Sequence, residues 1–167
     1  MIIVGIDPGI NGSAAALSLA DDECPEFVID AIDLPTLEDG SKRQIDDFEL
    51  ARWLRMISPN VVVIENVQPM PSIPGAGGER RSMGSASSFR FGMAVGQIRA
   101  TVRGTGIEPR FVHPQVWKRY FELKGADKEG SRQLALKLWP MSAYLLKRKL
   151  DHQRAEAMLL ARWGARP

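Results

Sequence analysis

"DDFELARWLRMISPNVVVIE" (residues 46–65) places an amphipathic helix directly ahead of a short, unbroken apolar run. Phe48, Leu50, Ala51, Leu54 and Ile57 recur at helical spacing, and Pro59 with Asn60 ends the pattern. The run VVVIE that follows has the β-branched composition of a strand covered on both faces. A helix leading into a buried strand implies a crossover, and a crossover implies parallel pairing with an earlier strand. Three earlier strands are available: residues 1–7, the stretch Gly12 to Leu19, and FVIDAIDL at 27–34, which together read as an antiparallel meander. With IEPRFV (107–112) as a fifth strand, the expectation is an α/β chain with a mixed five-stranded sheet flanked by helices.

The remaining elements follow from composition and spacing. QPMPSIPGAGGERRSMGSASS (68–88) is rich in Pro, Gly and Ser and reads as a long loop, of the kind that is usually functional or disordered. Residues 89–103 form a helix with Phe91, Val95, Ile98 and Val102 along one face and Gly92 and Gly96 permitting close packing. HPQVWKRYF starts a short helix, Lys128 to Leu138 a further amphipathic one, and 152–163 a last helix with Ala155, Met158, Leu159 and Trp163 spaced for burial. Phe89, Phe91 and Trp117 are expected in the core. No repeat or linker divides the 167 residues, so one domain is expected across 1–167.

Composition bounds the function classes. No apolar run reaches the roughly 18 residues a membrane span needs, and no signal-peptide pattern opens the chain. The single cysteine, Cys24, excludes an internal disulfide framework and suits a reducing, cytoplasmic compartment. The net charge of +2 decides little, but its distribution is uneven. Acids concentrate between Asp21 and Asp47, while bases dominate the middle and end, an asymmetry suited to a polyanionic partner.

Two carboxylates then stand in matching positions: Asp7 ends the first strand and Glu65 ends the strand after the crossover. If those strands are neighbours, both side chains emerge at one end of the sheet, and like charges so close stay ionised only where a cation shares them. Oxygen-only ligands favour Mg²⁺ or Mn²⁺ over zinc. In LDHQRAEAMLLA, His152 and Glu156 share a helical face, Asp151 falls at the N-cap, and Ala155 and Ala157 let the helix lie flat on a sheet. Simple alternatives remain at this level: Asp7 capping the Pro8-Gly9 turn, Asp151 as a plain cap, and Glu156 exposed in the first turns of its helix.

The ordered set GIDPG around Asp7, VVVIEN around Glu65 and DHQRAEAMLLA around Asp151 to Glu156 resembles the ribonuclease H-like nuclease superfamily and, within it, the RuvC-type Holliday junction resolvases. HPQVWKRYF with the downstream DKEGSR looks like the resolvases of phage and prophage origin. The resemblance spans roughly residues 1–163. It implies a ribonuclease H-like fold and a crossover junction endodeoxyribonuclease that cuts four-way DNA junctions by paired nicks, leaving 5′-phosphate and 3′-hydroxyl ends. It also implies a homodimer and two Mg²⁺ or Mn²⁺ ions per site, bridged by Asp7 and completed by Glu65, Asp151 and Glu156. Such resolvases carry a second acid, or a histidine, three residues before the last glutamate. Gln153 stands there, so Asp151 is preferred as the fourth ligand because hard cations favour carboxylates, with His152 kept as ligand or proton-transfer group. Lys118, in the VWK segment, is the basic group expected near the scissile phosphate. Lys128, Ser131 and Arg132 at a helix start, and Arg80 and Arg81 in the Gly-rich loop, are the expected DNA contacts. Where the bacterial proteins carry an aromatic wedge after the second acid, this chain has Met70. A related nuclease acting on flaps or forks is the alternative.

Overall fold

A computed structural model describes residues 1–20, 25–40, 42–67, 73–74, 80–81, 84–123 and 128–166; the side chains of 39, 73, 74, 80, 81 and 128 lie outside the description. In chain order the strands are β1 (Ile2–Asp7), β2 (Ser13–Ser18), β3 (Phe27–Asp33), β4 (Thr36–Asp39), β5 (Lys42–Ile45), β6 (Val61–Glu65), β7 (Ile73–Pro74), β8 (Arg80–Arg81) and β9 (Arg110–Val112). The helices are α1 (Asp47–Ile57), α2 (Ser85–Gly104), α3 (Pro114–Tyr120), α4 (Lys128–Leu138) and α5 (His152–Trp163), with 3-10 turns at Pro140–Leu145 and Lys149–Asp151.

The central sheet has the order β3-β2-β1-β6-β9. β1, β2 and β3 form the antiparallel meander, with Asp7 opposite Ser13, and β1 runs parallel to β6 from the pair Ile3–Val61 to the pair Ile6–Ile64. The crossover implied by residues 46–65 therefore has the expected outcome. Helix α1 starts where the Asp46 carboxylate accepts from the Glu49 amide at 3.0 Å, and ends where Ser58 turns left-handed (φ 52°) and donates back to Leu54.

Some boundaries differ from expectation. β9 keeps only Arg110–Val112 of the 107–112 stretch. Helix α2 begins at Ser85, because the Gly84 carbonyl accepts from the amides of Ser87 and Ser88 and so opens the helix one turn before Phe89. The acidic segment holds an unforeseen hairpin, β4 with β5, paired from Thr36–Ile45 to Asp39–Lys42. Gly40, at φ 63°, follows Asp39 at the end of β4, and an Asp-Gly pair at that place is the sequence signal for a turn.

Alternation along the strands divides the core. Val4, Ile6, Ala14, Ala16, Val62 and Ile64 meet α1 and α2 through Leu50, Trp53, Leu54, Ile98 and Val102. Ile3, Ala15, Leu17 and Val63 meet the opposite layer, made by Trp117 of α3, Ala135 of α4 and Ala155, Met158 and Leu159 of α5. On that second face α5 rests directly on β1. A Cβ on Gly5 would collide with the Ala157 carbonyl oxygen and the Ala161 amide nitrogen, and one on Gly164 would press on Val63. Backbone atoms of a packed helix have nowhere to go, so Gly5→Ala is expected to destabilise the fold by about 1–3 kcal/mol. Urea denaturation of the two proteins measures it.

Candidate active site

The parallel register fixes the first two acids. Because Ile6 and Ile64 are partners, Asp7 and Glu65 end adjacent strands side by side. Each stands two residues beyond a position on the α5 face, Gly5 and Val63, so the strand period of two turns both toward α5. Glu65 is only 6% exposed. The Trp117 indole N–H donates to its Oε1 at 2.7 Å from a fully buried position in α3.

Helix α5 brings Glu156 to the same place, one residue before the Ala157 that touches Gly5. The Lys118 ammonium lies 3.2 Å from Glu156 Oε1 and 5.1 Å from the centroid of the Trp117 ring. The Ser131 hydroxyl, buried on α4, donates to the same glutamate oxygen at 3.3 Å. Burial holds the Glu65 carboxyl above the ordinary glutamate range; the Trp117 hydrogen bond and the Lys118 charge oppose this, and the Glu156 charge adds to it. Glu65, Glu156, Lys118, Trp117 and Ser131 thus form one coupled cluster, and Asp7 opens into an adjacent cleft of about 650 Å³ whose wall includes Gln153.

Asp151 stands apart. Its carboxylate accepts from the Arg148 backbone N–H at 2.7 Å and from Arg148 Nε at 2.8 Å, and its side chain is 3% exposed. Burial raises its pKa, but the Arg148 hydrogen bonds and charge outweigh that and leave it below the ordinary aspartate range. Arg148 also reaches Asp33, which Arg154 grips at 2.7 Å, so Asp151 belongs to a four-residue ion-pair network. The carboxylate expected from sequence as the fourth ligand is thus engaged by Arg148. His152 is nearly buried, with Nδ1 3.2 Å from the Lys149 carbonyl, and lines a neighbouring cavity with Gln153 and Arg148.

The expected DNA contacts divide. Ser131 is turned inward to Glu156. Arg132 donates to the Leu146 carbonyl and to Glu129, both at 2.9 Å, so its guanidinium is engaged within the protein. The side chains of Arg80, Arg81 and Lys128 lie outside the described residues, as do Cys24 and Met70. Trp117 is core as expected, yet it is also the hydrogen-bond donor to Glu65, a role its apolar setting concealed. Phe89 is 68% exposed, against the expectation of burial.

Oxygen-only donors suit a hard divalent cation. The buried Ser13 hydroxyl, cross-strand from Asp7, has no hydrogen-bond partner among the described residues and adds polar capacity there. Among the described residues, no three histidine, cysteine or carboxylate side chains already converge into a metal-binding group. The donor type of Asp7, Glu65 and Glu156 fits such an ion although their side chains are not gathered into a ready ligand set, and Lys118 supplies positive charge at Glu156.

Comparison with solved structures decides the architecture. Thermus thermophilus RuvC in complex with a Holliday junction substrate superposes with a TM-score of 0.63 over 96% of this chain and 90% of that one, at 15% identity. The fowlpox virus Holliday junction resolvase matches with a TM-score of 0.55 over 98% of this chain and 96% of that one, at 16% identity. The fold is that of the RuvC-type resolvases. Fowlpox resolvase in complex with Holliday junction DNA matches too, at a TM-score of 0.58 and 16% identity over 96% of each chain. No family model and no curated protein sequence matches the chain. The RuvC-type fold is the ribonuclease H-like architecture expected from the ordered acids, reached here with little sequence identity.

The two kinds of carboxylate make opposite predictions. Glu65 has a folded-state pKa above its unfolded value, so its ionisation costs stability as pH rises through that window, and the cost persists above it. Glu65→Gln keeps an acceptor for Trp117 and removes the charge. It is expected to raise the thermal midpoint of the metal-free protein at neutral pH by about 2–4 °C, the effect of ~1 kcal/mol in a domain of this size, with no gain at acid pH. Asp151 has a depressed folded-state pKa; its contribution is present above the unfolded value and lost as pH falls through the folded one. Asp151→Asn is expected to cost about 1 kcal/mol at neutral pH, a figure held down by the exposure of Arg148, and nothing in strong acid. Calorimetric melts across pH read both.

Proposed function

We propose that the protein is a metal-dependent, structure-selective endonuclease that resolves four-way DNA junctions by paired, symmetric nicks leaving 5′-phosphate and 3′-hydroxyl ends. The observation that carries this reading is the placement of Asp7 and Glu65 at the ends of adjacent parallel strands, with Glu156 near enough for its charge to act on Glu65 and Lys118 against Glu156, in a fold whose solved neighbours include two resolvases bound to junction DNA. Mg²⁺ or Mn²⁺, up to two ions, would be held by Asp7, Glu65 and Glu156 and would supply Lewis acidity for activating water and stabilising the leaving oxygen. Trp117 fixes the rotamer of Glu65, and Ser131 does the same for Glu156. The Lys118 ammonium provides the fixed positive charge that lets a phosphate approach two glutamates.

Paired nicks need two sites related by a two-fold axis, so the reading includes a homodimer.

Incubation with a four-way junction, a flap and linear duplex, with and without Mg²⁺, tests the proposal. Asp7→Asn is expected to reduce junction cleavage by at least about a hundredfold, the range for removal of one group that acts in the transition state. Asp151→Asn should retain cleavage. Cutting confined to flaps would replace the junction as substrate, and no cutting of any branched DNA would overturn the nuclease reading.

A further inference from the structure

Between the β4–β5 hairpin and α2 lies a cavity of about 400 Å³ whose lining includes Lys42, Arg43, Phe89, Arg90 and Met93, and no carboxylate. Phe89 and Met93, one helical turn apart, are 68% and 45% exposed. The cavity continues into the Asp7 cleft, because Ile10, Lys42, Arg43 and Arg90 line both. Among the described residues, no ion pair engages these three cations. Among the described residues, Arg43 donates to the neutral amide of Asn11, and Arg90 to the Ala86 carbonyl of its own helix.

We propose that this trough binds a single DNA strand, with Lys42, Arg43 and Arg90 on its phosphates and Phe89 and Met93 against a base, and leads that strand to Asp7. The choice of DNA rests on the nuclease reading; the recognition chemistry stands on the trough itself. Exposed apolar side chains rimmed by cations match an unpaired nucleotide, which offers a flat π-face and a flanking phosphate. Cations that neutralise phosphates on binding release the phosphates' counterions, which makes the affinity salt-dependent. A second copy of the chain fits less well. A two-fold contact sets the patch against itself, facing cations with cations and offering no acid to pair them.

Fluorescence anisotropy with a labelled single-stranded oligonucleotide and a four-way junction, across a salt series, tests the assignment. All the side chains to be changed are exposed, and circular dichroism checks that the variants fold. Lys42→Ala with Arg43→Ala is expected to weaken binding of the oligonucleotide about tenfold or more and to reduce the salt slope by about two. Phe89→Ala is expected to weaken it about tenfold with the salt slope unchanged. Affinities and slopes equal to wild type in both variants would overturn the groove, even if the protein cuts junctions. Wild-type binding with the stated losses, but without junction cleavage, would leave the groove standing and remove the resolvase reading. A fall from dimer to monomer mass in light scattering, with DNA binding unaltered, would give the trough to a second copy and overturn the proposal.

Discussion

The contact between α5 and β1 is the constraint on which the site depends. A helix normally stands off a sheet by the thickness of two side-chain layers. Here Gly5 removes one layer, and Ala157 and Ala161 thin the other, so backbone meets backbone. Gly164 extends the same seam toward Val63. The close approach fixes both the height and the rotation of α5, which makes Glu156 part of the sheet's edge instead of its solvent face. Helices α3 and α4 then take their places against α5, and Lys118 and Ser131 reach the glutamate from two sides. The chemistry of the site follows from three small residues that carry none.

Two solutions to the burial of acids stand close together in this molecule. Asp151 is satisfied by a single arginine that supplies backbone and side-chain donors, and its pKa falls accordingly. Glu65 is deeply buried with one neutral donor, while Lys118 pairs directly with Glu156; its pKa rises. The first arrangement is closed, because a second cation brought to Asp151 would compete with Arg148. The second leaves negative charge without full compensation, which is the condition under which a site gains from an added cation. Incomplete charge compensation, more than residue type, separates Glu65 from Asp151.

What was legible in the sequence was whatever depended on periodicity. The crossover at 46–65 and the matching strand ends gave the mixed sheet, and the same alternation that made Val63 core made Glu65 its neighbour on that face. Asp151 precedes α5 as its position suggested, but spacing could not show that it ends a 3-10 turn where Arg148, three residues back, closes over it. Trp117 was read as core, and burial hid its polar atom; an indole has one donor, and where that donor goes cannot be seen from spacing. Phe89 was expected to be buried because large aromatics usually are, yet α2 extends a full turn past the body of its core face and carries Phe89 into solvent. The β4–β5 hairpin was overlooked because charged residues masked its alternation, although Asp39-Gly40 marks the turn.

The charge pattern illustrates the same limit. Counting bases along the chain directs attention to the middle and the end, where arginines are abundant. Folding spends many of them internally: Arg103 on Glu108, Arg132 on Glu129, Arg148 and Arg154 on Asp33, and Arg162 on Glu26. Lys42 and Arg43 lie in the acidic third of the sequence, where they look neutralised. The hairpin pairs their strand positions with Asp39 and Glu38 and sets them across from Arg90, some fifty positions on, beside an exposed phenylalanine. A polyanion meets the surface that remains after internal pairing, and that surface is a property of the fold. Lys42, Arg43 and Arg90 are among the described cations that the ion-pair network leaves over, and these three border the cleft that holds Asp7.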